Sequence, residues 1–142
     1  MTTRKATAIW DGGLRSGKGN FKTESGVISG PYSFSSRFDN GIGTNPEELL
    51  AAAEACCFVM AVCNHLEKAG TPAARLECNA ACIGDMVADH LRITTIKLHV
   101  RGTVPNCDAA TFQRLCLECK DSCTVSMALK NNIRVELDTK LV

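Results

Sequence analysis

The stretch "NPEELLAAAEACCFVMAVC", Asn45 to Cys63, constrains this chain more than any other. Thr44, Asn45, Pro46, Glu47 and Glu48 are the residues of a helix start: cap oxygens, a proline at the first helical position and carboxylates in the first turn. Thr44 and Glu47 stand at capping-box spacing, and Gly70 and Pro72 mark the other end. Between these signals residues 49–63 are apolar nearly all round, with Ala51, Ala52, Ala53 and Ala55 permitting close packing. A helix apolar on every side is buried on every side. In 142 residues that requires a sheet wrapped around it, or a second subunit.

The rest of the chain is read around that helix. Upstream, "KATAIW", "GNFKT" and "GVIS" alternate between turn signals at "DGG" and "ESG", as short strands do, and "PYSFSSRF" reads as extended or looping. Downstream, "ARLECNAACI" and "LRITTIKLHVRG" read as two longer strands joined around "GDMVAD". Apolar parity in the second changes near Thr94 and Thr95, which predicts a bulge. Asp108 caps a short helix with Phe112, Leu115, Cys116 and Cys119 on one face, and Asp121 or Ser122 opens another. Alternation from Ile133 to Leu141 predicts a half-buried antiparallel strand. The expected order is βββ-α-ββ-α-α-β, an α+β fold in a single domain over residues 1–142.

Composition narrows the function. Hydrophobic residues make up 45% of the chain, enough for a real core, and a formal net charge of +1 supplies no electrostatic reason for a nucleic-acid or membrane partner. The apolar run Leu49 to Cys63 is broken by Glu54 and is short for a bilayer. "MTTRKATAIW" has no apolar signal core, so a cytoplasmic location is expected.

Nine cysteines, odd in number and irregular in spacing, do not read as a disulfide framework. In a reducing compartment most serve as small apolar side chains. Cys63, Cys78, Cys82 and Cys107 are assigned to packing. Cys116, Cys119 and Cys123 form C-x-x-C-x-x-x-C without a second pair, so no metal and no cofactor are expected. His65, His90 and His99 are scattered and read as surface or structural residues. A reactive cysteine needs a cation or a helix N-terminus beside it. Cys57 lies about three turns inside its helix and would need an outside cation, whereas Cys123 falls in the first turn of a helix. Cys56 points about 100° away from Cys57, so only one of the two can face a given site.

"RF" at Arg37–Phe38, "GTNPEELLAAAEACCF" from Gly43 and "CTVSMAL" from Cys123 together resemble the OsmC/Ohr family of organic hydroperoxide peroxidases. "WDGGLRSGKG" and "TESGVISGPYSF" extend the likeness over essentially the whole chain and bring it closer to the OsmC branch. The resemblance implies antiparallel sheets around a long buried central helix, in an intertwined homodimer with sites built from both subunits. It implies that Cys57 is the peroxidatic and Cys123 the resolving cysteine, with Arg37 stabilising the thiolate and alkoxide and Glu47 orienting Arg37. The implied substrate is an organic hydroperoxide, and an external dithiol restores the thiols. Phe38, Phe58 and Met60 are candidate pocket residues. The second reading is a redox-sensing or ligand-binding module on the same fold without efficient turnover.

Glu47 precedes Cys57 by ten residues, about 15 Å of axial rise, so it would act through Arg37 or come from the partner chain. Two positions depart from the family's wording. Thr124 stands where proline is common, and Glu54 lies three residues before Cys57, where an ionised carboxylate would raise a thiol's pKa. Glu54 could be neutralised by Arg37, point away, slow the reaction, or sit as a partnered charge at a dimer interface.

Overall fold

A computed structural model describes all residues, Met1–Val142, as two compact units, Met1–Leu49 and Leu50–Val142. In the first, β1 (Ala6–Asp11), β2 (Lys18–Thr23) and β3 (Ser29–Tyr32) form an antiparallel meander in that order. Gly19 on β2 is paired with both Trp10 and Tyr32, and the two rings, 5.5 Å apart, lie where a Cβ on Gly19 would collide with them.

"PYSFSSRF", expected to be extended or looping, contains the one-turn helix α1 (Phe34–Phe38). Ser33 caps it: its Oγ accepts from Ser36 N–H at 3.0 Å, and Ser36 Oγ accepts from Ser33 N–H at 2.9 Å. A single turn shows no apolar period, and a capping box closed by serine instead of Glu or Gln carries no standard signature.

The helix α2 (Pro46–Lys68) forms where the sequence places it, but Asn45 does the capping, its Oδ1 accepting from Glu48 N–H at 2.8 Å. Glu48 reaches back to accept from the Thr44 hydroxyl at 3.0 Å, so the capping falls one residue later than the Thr44–Glu47 spacing and Glu47 is left for another partner. The helix closes at Gly70, which adopts φ +78°.

The second unit has the sheet order β4-β5-β6. β4 (Arg75–Val87) and β5 (His90–Thr103) pair antiparallel, and the turn is tighter than "GDMVAD" suggested. Ala88 and Asp89, both at positive φ, make the two-residue turn. Ile83 faces Thr95 and Gly84 faces Ile93, so Thr94 is the extra residue of the expected bulge.

After β5 come α3 (Ala109–Cys119), capped by Asp108, and α4 (Thr124–Leu129), then β6 (Arg134–Leu141). β6 runs parallel to β5, from Thr95 opposite Arg134 to Gly102 opposite Leu141. The expected antiparallel pairing is therefore corrected. Two helices between the strands return the chain to the starting end of β5, and alternation alone does not encode direction.

The core of this unit joins Phe58, Val62 and Leu66 of α2 to Ile96, Leu98 and Val100 of β5 and to Phe112, Leu115, Cys116 and Cys119 of α3. Within the chain α2 is buried along one stripe only: Ala51, Glu54, Phe58, Val62 and Leu66. Ala52, Ala53 and Cys56 are exposed, and Met60 is 73% exposed. The helix is also longer than the apolar run read from sequence. At 23 residues it has the length and hydropathy to cross a membrane, but its buried stripe packs on the core of the second unit.

Candidate active site

In the first unit, α1 presents Arg37 to the first turn of α2. Ser36, buried behind it, donates to Thr44 O at 2.8 Å, and Asn45 Nδ2 donates to Ser36 O at 3.2 Å, tying the two helix starts together. Arg37 Nε then donates to Glu47 Oε1 and Oε2 at 3.0 and 3.2 Å, and Nη2 donates to Oε1 at 2.6 Å. Two guanidinium nitrogens on one carboxylate fix the plane of the fork. Burial by itself would push the Glu47 carboxyl up. The Arg37 hydrogen bonds, a backbone N–H and the guanidinium charge outweigh it and hold the carboxyl below its ordinary value. Glu47 is thus ionised and the expected partner of Arg37.

Arg37 lines a cavity of about 300 Å³ with Trp10, Leu14, Tyr32, Phe34, Phe38 and Pro46. The Phe34 and Phe38 rings are 4.8 Å apart, and the guanidinium stacks over Phe38 at 5.1 Å. One cation among aromatic walls suits a molecule with an apolar body and a polar oxygen end. Trp10, Tyr32 and Phe34 were not singled out in the sequence. Their only signal is their position in the "WDGGLRSGKG" and "PYSF" segments.

In the second unit, Cys57 is partly buried against the core cluster that contains Cys123. Cys56 faces solvent. Sequence reasoning placed Cys123 in a first helical turn opened by Asp121 or Ser122. Instead Cys123 is itself the N-cap of α4, and Thr124 opens the helix. The Asp121 and Ser122 side chains are engaged elsewhere, by Lys130 at 2.6 Å and by His65 at 3.0 Å.

Cys123 is 1% exposed. Burial pushes its thiol up, against the backbone N–H of Ser126, which favours the anion. The neighbouring Cys57 thiol adds to the rise, the Ser126 hydroxyl opposes it, and the charge of Glu54 adds to it again. Burial wins over the helix start, so this sulfur rests as a thiol. Cys78 is pushed up to about 11, first by burial and then by Glu54, and Cys116 and Cys119 to about 12, chiefly by burial.

Glu54 lies wholly inside its own chain at 0% exposure, which corrects the idea of a charge at a dimer interface. Ser126 Oγ donates to its Oε1, and its Oε2 has no partner. Burial raises its pKa and the Ser126 bond only partly offsets the rise. Ser126 was missed in the sequence, although it stands three residues after Cys123, one turn along α4. Of the three candidate pocket residues, Phe38 lines the Arg37 cavity, Phe58 is fully buried core, and Met60 stands on the exposed face of α2.

The family model described as OsmC-like protein matches residues 38–138. The chain belongs to the OsmC family. A curated relative of this OsmC-family chain, peroxiredoxin OsmC of Escherichia coli (strain K12), is 40% identical over 138 residues, 96% of each chain. A crystal structure of an organic hydroperoxide resistance protein from Elizabethkingia anophelis superposes with a TM-score of 0.81 at 23% identity, covering 100% of this chain and 98% of that one. The organic hydroperoxide resistance protein OhrB of Bacillus subtilis gives 0.74 at 25% identity, with 98% of each covered. The α+β OsmC fold expected from sequence is therefore established across the chain.

Proposed function

We infer that this protein is a thiol-dependent peroxidase that reduces organic hydroperoxides to alcohols. The observation that carries the reading is the gathering of Cys57 and Cys123 in one core, Cys57 partly accessible and packed against the cluster that holds the buried Cys123. Membership of the family, and the names of its relatives, support it.

In this reading the Cys57 thiolate attacks the terminal peroxide oxygen. The O–O bond breaks, Cys57 is oxidised to a sulfenic acid, and the alkoxide leaves to take a proton. The cation that such a thiolate and alkoxide require is Arg37, as the family pattern assigns. Glu47 aims the guanidinium. Cys123 then condenses with the sulfenic acid, releasing water and leaving a disulfide that an external dithiol reduces. The aromatic cavity beside Arg37 favours bulky organic peroxides over hydrogen peroxide, with Phe38 among its walls.

The chain acts as a homodimer. The apolar face of α2 left exposed at Ala52, Ala53 and Met60 is the surface a second copy would cover.

The test is consumption of cumene hydroperoxide by the protein with dithiothreitol. Multiple turnovers are expected, and Cys57→Ser abolishes them. Equal turnover by that variant removes the reading, and one stoichiometric oxidation without turnover leaves the redox-sensing module in its place.

A further inference from the structure

Two cations of the first unit have no carboxylate of their own. Arg37 is occupied by Glu47, whereas Arg15 and Lys18 take part in none of the ion pairs. Arg15 lies in the loop between β1 and β2, and Lys18 opens β2. The loop folds tightly on itself. Gly17 N–H donates to Gly13 O at 2.7 Å, and a Cβ on Gly17 would collide with Gly13 O, Asp11 O and the Trp10 indole nitrogen. The closed loop sets Leu14 among the walls of the aromatic cavity and brings the Arg15 guanidinium over the Phe34 ring, 4.7 Å from its centroid. Phe34 and Phe38, 4.8 Å apart, thus each carry a guanidinium, Arg15 on the first and Arg37 on the second.

A second cavity, of about 380 Å³, adjoins the aromatic one, since Tyr32 and Ser33 line both. Arg15 and Lys18 line it together with Asn20, Ser16 and Ser35, and no acidic residue does. Asp11 stands opposite Lys18 in the strand register but makes no ion pair with it. Cations and hydrogen-bond donors gathered without a carboxylate make a place for an anion. A guanidinium held by its face on an aromatic ring keeps its N–H edge for two oxygens at once, which is the shape of a carboxylate. The neighbouring aromatic walls suit an apolar body attached to that carboxylate.

We propose that Arg15 and Lys18 form an anion subsite, and that the ligands this unit takes best are carboxylates with an apolar body. The body lies among the aromatic walls, and the acid end pairs with Arg15, with Lys18 beside it. As a substrate site, which rests on the peroxidase reading, it selects hydroperoxides that carry a carboxylate over neutral ones of the same size. The two guanidiniums then have separate tasks: Arg37, aimed by Glu47, serves the peroxide end, and Arg15 the acid end. No bond is made or broken at the subsite. Its contacts are the same before and during the reaction, so they act on KM and not on kcat.

Trp10 lines the aromatic cavity and is the only tryptophan of the chain, so its fluorescence reports binding without any turnover. The test is a titration of the full-length reduced protein, at neutral pH, with 6-phenylhexanoate and with 6-phenylhexan-1-ol. The acid should bind about tenfold tighter than the alcohol. Arg15→Gln should take about fivefold from that ratio, the upper end for a solvent-exposed ion pair, and Lys18→Gln, which removes a point charge without a fork, about twofold. The preference should shrink at high salt, because exposed charges are screened. In turnover with dithiothreitol, 6-hydroperoxy-6-phenylhexanoate is compared with its methyl ester. The wild type should favour the acid about tenfold in kcat/KM, through KM, and Arg15→Gln should cut that preference about fivefold. Equal affinity for acid and alcohol, or a ratio that neither substitution moves, overturns the subsite. A binding preference without turnover of either hydroperoxide refutes the peroxidase reading and leaves the subsite standing. Turnover of both hydroperoxides with no preference for the acid refutes the subsite alone.

Discussion

Replacing Glu47 by glutamine keeps the shape of the side chain and removes its charge, and so tests whether this residue acts only by aiming Arg37. The wild-type pair has Nε–H and Nη2–H on one carboxylate, the shortest contact being 2.6 Å. A charged hydrogen bond contributes about 1.5–3 kcal/mol. The guanidinium is 39% exposed, and solvent screening puts this pair at the lower end, about 1.5 kcal/mol. That is roughly a tenfold fall in the population of the aimed guanidinium, and so about a tenfold fall in kcat/KM for cumene hydroperoxide. Arg37→Met removes the charge itself and should cost about 100- to 1,000-fold. If Glu47 works through Arg37, the double variant is no slower than Arg37→Met alone. A further tenfold loss in the double variant would refute the reasoning and give Glu47 a role of its own.

Cys123→Ser should still gain one oxygen on Cys57 with one equivalent of peroxide but accumulate it, as read by intact mass. Trp10→Ala and Phe38→Ala, which open the aromatic cavity, should lose about tenfold in kcat/KM toward cumene hydroperoxide and little toward hydrogen peroxide, on the scale of a few kcal/mol per buried aromatic contact. Met60→Glu places a charge on the exposed apolar face of α2 and should shift the protein toward monomer in sedimentation. Glu54 also predicts a pH dependence of folding. Its folded pKa lies above the unfolded 4.5, so the native state binds the extra proton. Its contribution is complete below pH 4.5 and is lost as pH rises through the folded value. Thermal melts should show the wild type losing Tm relative to Glu54→Gln over that window, and parallel Tm curves would contradict the assignment.

The strongest periodic and punctuated segments were legible in the sequence. The start of α2, the cap of α3, the long hairpin, its bulge at Thr94 and the inward face of α3 follow from patterns of three to seven residues that local physics enforces, although the cap of α2 falls on Asn45 and not in the Thr44–Glu47 box. Features that depend on distant partners were not. The direction of β6 is set by the two-helix connection before it, because alternating burial looks the same in either direction. The capping of α1 by Ser33 and Ser36 is too short to show a period.

At the candidate site, Arg37, Glu47, Cys57 and Cys123 were named through the family resemblance. The Arg37–Glu47 pair is found as geometry, and Cys57 and Cys123 share one core cluster. The fate of Glu54 could not be read, since a glutamate on an apolar helix looks the same whether it faces a partner, solvent or a serine 72 residues away. The one-sided burial of α2 makes the same point. All-round apolarity says that a surface is to be covered, and does not say by what.

The central claim is that Cys57 and Cys123 form a working redox pair. The most direct measurement is peptide mapping of the full-length protein after one equivalent of cumene hydroperoxide, without reducing agent. The account predicts a disulfide joining the Cys57 and Cys123 peptides, absent from Cys57→Ser and reversed by dithiothreitol. Oxidation that goes to other cysteines while residues 57 and 123 remain thiols would contradict it.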